Sequence, residues 1–185
     1  DHARLLVGAA ATRDAVLSAL KWLAKEARPG DPVAFAFFGD GGPLGDRHCY
    51  FAADSTFKNR GKDAVAAAEI AEALKGLKSQ QFAVYLDVNF KGYTASIAEP
   101  SFTDKPFAEF RGELGSEDAG EDQTPGRVVF LPSYSNEFGK PSLDGPEHDI
   151  FTMALLDGLK GAADTDGDEA DGTVTVDELT GYLYK

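Results

Sequence analysis

The sequence predicts an α/β fold with a mostly parallel sheet and helices on both faces. Three observations carry this expectation. Residues 33–38 (VAFAFF) are a continuous apolar run, as expected of a strand buried on both sides of a parallel sheet, and 82–88 (FAVYLDV) and 128–131 (VVFL) read as further strands. Other segments carry helical periodicity, with Val16, Leu17, Leu20, Leu23 and Ala24 forming one apolar stripe. Strand-like and helix-like segments alternate along the chain, which places crossover helices over the sheet. The 185 residues suffice for one domain, 1–185, with a full core.

In chain order, residues 4–8 (RLLVG) read as a short strand, and Thr12 reads as the cap of the first helix. RPGDP at 28–32 is a turn before the 33–38 strand. The glycine-rich GDGGPLGD at 39–46 reads as a loop. Residues 49–53 (CYFAA) form a second short strand, followed by a polar loop to Lys62. Residues 63–78 read as one helix that buries Val65, Ile70, Leu74 and Leu77. The 82–88 strand follows. The polar stretch 94–126 carries Phe102, Phe107 and Phe110, so it is expected to be a partly packed excursion. The 128–131 strand and a helix over 148–160 come next, and a short helix from about Asp177 closes the chain.

Composition narrows the function classes. The net charge of −13, with acids concentrated in 113–122 and 164–178, disfavours nucleic acid and anionic membranes as partners, since both need clustered Lys and Arg. No run of eighteen apolar residues is long enough to span a bilayer. No basic segment followed by an apolar core opens the chain as a leader would, although Asp1 is not a natural start. The cytoplasm is therefore the favoured compartment. The single cysteine, Cys49, excludes an internal disulfide and says little about location.

Two strand ends stand out, Gly39-Asp40-Gly41 and Asp87-Val88-Asn89, because sites in open parallel sheets gather at the carboxyl ends of strands. With ATRDAVLSALKWLA before the first and HDIFTMALLDGLKG after the second, their order and spacing resemble the caspase-like peptidase domain of caspases and metacaspases. The likeness covers roughly residues 10–184. Bacterial, planctomycete-type members of that group resemble the DVNFKG version seen here. The resemblance implies a three-layer sandwich. It also implies a histidine from a Ser-Gly-His-Gly loop after the first of these strands and a nucleophilic cysteine from Asp-x-Cys-x-x-Gly after the second. In this chain Asp40 stands in place of the histidine and Asn89 in place of the cysteine. A carboxamide is no nucleophile, and a carboxylate near its usual pKa of about 4 is a poor proton donor at neutral pH. The resemblance therefore implies a pseudopeptidase that binds protein or peptide. An active cysteine endopeptidase and a calcium-dependent interaction domain are the alternatives. The family's first strand, which precedes the segment matching RLLVG, is not in this sequence; a sheet lacking it would expose unpaired backbone groups, so either a separate segment fills that place or this sequence starts beyond the strand.

The resemblance also implies a role for Asp87, which matches an acid that receives a basic side chain in metacaspase-like members. The plainer and preferred reading is a strand-end acid capping a neighbouring loop. Asp40 and Asn89 are either a polar pair across the old cleft or two solvated residues, and the second is preferred. His48 and Cys49 are adjacent on a predicted strand, so their side chains diverge, and Cys49 reads as a small buried hydrophobe. His2 lies near a frayed end, and His148 near a helix start.

Cofactors are not expected, with calcium as the one candidate. Asp164, Asp166 and Asp168 have calcium-loop spacing, Gly172 could make the turn and Glu178 could supply the bidentate carboxylate. A standard loop has its glutamate at about the twelfth position, whereas Glu178 is fifteenth from Asp164. The preferred reading is a capping box, with Thr175 and Glu178 opening the last helix.

Overall fold

A computed structural model describes residues 2–90, 126–130, 150–165 and 170–184. The expectations for 94–125, Leu131, His148, Asp166 and Asp168 lie outside the described residues. The chain divides into two compact units, Asp1–Asn136 and Glu137–Lys185.

The first unit is α/β, built on a five-stranded mixed sheet in the order β3-β2-β1-β4-β5. Its strands are β1 (Val33–Leu44), β2 (Arg47–Tyr50), β3 (Val65–Ala66), β4 (Phe82–Phe90) and β5 (Arg127–Phe130). β1, β4 and β5 are mutually parallel neighbours, whereas β2 and β3 run antiparallel. The helices are α1 (Arg13–Glu26), the single turn α2 (Arg60–Asp63) and α3 (Ala67–Lys75).

α1 begins where expected, with the Thr12 hydroxyl accepting the Ala15 N–H at 3.3 Å. Its stripe buries Val16 and Leu20, and α3 buries Ile70 and Leu74. Arg13 fastens α1 to its surroundings. Its guanidinium donates to Glu69 at 2.6 Å and to the Ala64 carbonyl at 3.1 Å, while its own N–H reaches the Asp54 carboxylate at 2.8 Å.

Four expectations need correction. Residues 4–7 form no strand. Val7 is extended (φ −131°, ψ 140°), but extended backbone becomes a strand only in a ladder, and Leu5 and Val7 remain exposed. A short 3₁₀ turn follows at Gly8–Ala10. Residues 39–44 are strand, not loop. β1 stays in register with β4 as far as Gly41, then turns at Gly45 (φ 65°) and Asp46 into a tight hairpin with β2. The expected helix 63–78 is divided, because Val65 and Ala66 pair with Tyr50 and Cys49 before α3 starts. Finally, β1 is not buried on both faces. Val33 is buried, whereas Ala34, Ala36 and Phe38 are exposed, so the uniform apolar run alternates in its surroundings.

In the second unit, α4 (Ile150–Asp157) continues into a wide helical turn over Gly158–Ala162, broken at Gly161 (φ 111°). α5 (Val176–Leu183) opens with the expected capping box. Thr175 Oγ1 accepts the Glu178 N–H at 3.2 Å, and the Glu178 carboxylate accepts the Thr175 N–H at 2.7 Å. Gly158 is where α4 meets α5: a Cβ there would lie 2.7 Å from Leu179 Cδ1. No described helix is long and apolar enough to cross a membrane.

Candidate functional site

The site is built from the length of two strands. β1 and β4 pair in parallel without a break from Val33↔Phe82 to Gly41↔Phe90, which sets Phe38 beside Asp87 and Asp40 beside Asn89. Side chains alternate along a strand, and register partners in a parallel pair share a face. Phe38, Asp40, Asp87 and Asn89 therefore rise from one face at the carboxyl end of this parallel pair. Asn89 is exposed, Asp40 half-buried and Asp87 only 6% exposed. Asp40 and Asn89 are thus direct register partners.

A carboxylate and a carboxamide at that position can bind and orient a ligand by hydrogen bonds. Neither can act as a nucleophile in the way a thiolate does. The nearby thiol does not supply a nucleophile. Cys49 is fully buried and donates to the Gly42 carbonyl at 3.5 Å. Burial raises its pKa, against a smaller opposing influence from Arg60, so the thiol form is favoured.

His48 points to the opposite side of β2 from Cys49, as alternation requires. It is fully buried, and its Nε2 lies 2.8 Å from the Tyr50 hydroxyl. Burial, reinforced by Arg47, lowers its pKa to about 3, so the ring is neutral at physiological pH. Burial also pushes the Tyr50 phenol well above its ordinary range. The Phe37 and Tyr50 rings meet at 5.1 Å. Phe37 lies over Gly39, where an added Cβ would sit 3.4 Å from its ring. The sequence did offer a signal for this cluster, since His48 and Tyr50 are two residues apart on a strand and so share a face.

The acidic tail is organised around its own backbone. The Asp164 carboxylate accepts the N–H groups of Asp171 (3.1 Å) and Gly172 (3.0 Å), and Asp171 accepts that of Thr173 at 2.8 Å. Glu178 serves the capping box, also accepting the Thr175 hydroxyl at 2.8 Å. Asp171 was not among the predicted ligands, yet it is the acid whose segment folds onto Asp164. Among the described residues no three His, Cys, Asp or Glu side chains converge as a metal site.

No protein-family model, no curated protein and no solved structure matches the chain.

Proposed function

We propose that this chain is a catalytically inactive caspase-like domain, a three-layer α/β sandwich that acts by binding protein or peptide. The pairing of Asp40 with Asn89 carries the reading. It lies at the carboxyl end of the stretch over which β1 and β4 pair, and the resemblance puts the peptidases' histidine and cysteine at these two positions. Loss of one member of a catalytic dyad costs orders of magnitude in rate, and loss of both removes the thiolate and its proton partner together. Cys49 is no substitute, because it is enclosed and held in the thiol form. The resemblance adds Asp87, one register step below on the same face, as the acid that would receive a basic side chain. The ligand class is accordingly an arginine- or lysine-bearing peptide segment, and neither nucleic acid nor membrane is a partner.

Incubation with Arg- and Lys-containing fluorogenic peptides, with and without calcium, gives no turnover above buffer. The same peptides carrying a fluorophore in place of the cleavable group bind in a polarisation assay, and Asp87→Asn weakens them about tenfold, as expected for loss of one charged contact. Turnover abolished by Cys49→Ala would restore the peptidase reading. Binding that ignores Asp87→Asn would remove the recognition role.

A further inference from the structure

We infer that Tyr50 positions Asp40: held by His48 on the face of the sheet opposite the site, it fixes the segment that grips the Asp40 backbone. This role rests on the reading of Asp40 as a ligand-binding side chain.

The stretch around Asp40 cannot hold its own shape. Residues 39–42 are Gly-Asp-Gly-Gly. Glycine has the most conformational freedom to lose and no side chain to pack, so neighbours must impose an extended strand here. β4 supplies one side, through the register of Asp40 with Asn89. Residues 49–51 supply the other. The Asp40 carbonyl accepts the Phe51 N–H at 2.8 Å, Gly41 stands opposite Tyr50, and the Gly42 carbonyl accepts the Cys49 thiol at 3.5 Å. Asp40 is thus gripped along its backbone from both sides.

Tyr50 is the fixed point of the second grip. Phe51 lies one residue beyond β2, so its N–H goes where Tyr50 goes. Register partners share a face and side chains alternate along a strand. Tyr50 therefore shares the face of Phe37, Gly39 and Gly41, and Asp40 rises from the other. The Tyr50 ring is fully buried there. Its hydroxyl lies 2.8 Å from Nε2 of His48, which is itself fully buried. The His48 ring meets it edge-on at 5.2 Å, and the Phe37 ring packs on it at 5.1 Å. Phe37 in turn lies against Gly39, where an added Cβ would sit 3.4 Å from its ring. Phe37 and Tyr50 so back the two glycines that flank Asp40. A hydrogen bond enclosed this completely is costly to break, which makes the His48–Tyr50 pair a firm anchor. Displacing Tyr50 moves the Phe51 N–H, the Asp40 carbonyl with it, and so the direction of the carboxylate on the site face.

The test is a double-mutant cycle with the 185-residue chain and a fluorophore-labelled arginine peptide, read by polarisation. Tyr50→Phe removes one oxygen and leaves the ring. It is expected to weaken binding about fivefold through the lost anchor. In the Asp40→Ala chain, Tyr50→Phe is expected to cost nothing further, because the carboxylate it positions is gone. A merely structural residue would cost the same in both backgrounds. Hydrogen exchange reports the grip directly. In Tyr50→Phe the Phe51 amide is expected to speed up about tenfold more than the Leu74 amide in α3, which follows the unit as a whole. Should Tyr50→Phe not fold, as judged by Trp22 fluorescence, Phe37→Leu takes the ring off Gly39 and enters the same cycle with the same expectation. Additive losses in the cycle, or a Phe51 amide that moves only as Leu74 does, would overturn this role and leave the proposed function standing. A wild-type chain that binds no peptide would overturn both.

Discussion

Lowering the pH should destabilise the first unit through His48, and the size of the effect follows from its burial. In the unfolded chain His48 takes up a proton at its ordinary pKa of 6.5, whereas in the folded chain it refuses one until about pH 3. Below pH 6.5 the unfolded state therefore binds the extra proton, and stability falls as the pH falls. The stabilising contribution is complete above 6.5, is lost progressively between 6.5 and about 3, and falls no further once both states are protonated. Each pH unit inside that window is worth up to about 1.4 kcal/mol, so His48 accounts for roughly 3 kcal/mol of lost stability by pH 4. Carboxylates also titrate there, so the measurement is a comparison with His48→Gln, which keeps a polar group near Tyr50 but cannot titrate. Trp22 is the chain's one tryptophan and lies on α1 in the same unit. Its fluorescence in urea melts at pH 7, 5.5 and 4 reports this unit's unfolding. The variant is expected to start lower, by about 1 kcal/mol for the altered hydrogen bond and packing, and then to lose less on acidification. Parallel stability curves for the two proteins would refute the account of a histidine kept neutral by burial.

Gly158→Ala should loosen the second unit by about 1–3 kcal/mol, since the added methyl meets Leu179 and Tyr182, and faster amide exchange in both α4 and α5 checks this. Thr175→Ala should cost about 1 kcal/mol of helix stability through the lost cap, seen as faster exchange over 176–183. Millimolar calcium should leave the melting temperature of the wild-type chain unchanged, and a rise of several degrees that Asp166→Ala removes would instead establish the calcium loop. Arg13→Lys should lower the urea midpoint by an amount equivalent to roughly 1 kcal/mol, because an ammonium cannot reach Ala64 and Glu69 with the guanidinium's fork.

The parts of the fold that were legible in the sequence are those set by nearby residues. Thr12 and the Thr175–Glu178 pair mark helix starts through contacts three residues long, and both caps formed as read. The strands at 33–38 and 82–88 announce themselves by apolar content. What was misread depends on partners distant in the chain. Glycines at 39, 41 and 42 suggest a loop, yet β4 and β2 hold them extended. Val65 and Ala66 have a place in a helical stripe, yet β2 takes them into the sheet. RLLVG has strand composition without a ladder. At the site, the encounter of Asp40 with Asn89 was foreseeable from two strand ends. The His48–Tyr50 bond required attention to a two-residue spacing that the adjacent Cys49 obscured.

The unbroken register of β1 with β4 works as a ruler. Asp40 and Asn89 lie the same distance along their strands from the Val33↔Phe82 pair, so they leave the sheet at one height whatever their chemistry. Replacing either residue changes what the strand ends offer a ligand and leaves their meeting intact. Removing a single residue such as Ala36 would draw Asp40 back by about 3.3 Å and turn its side chain to the opposite face of the sheet. The site should therefore accept substitution and reject insertion or deletion.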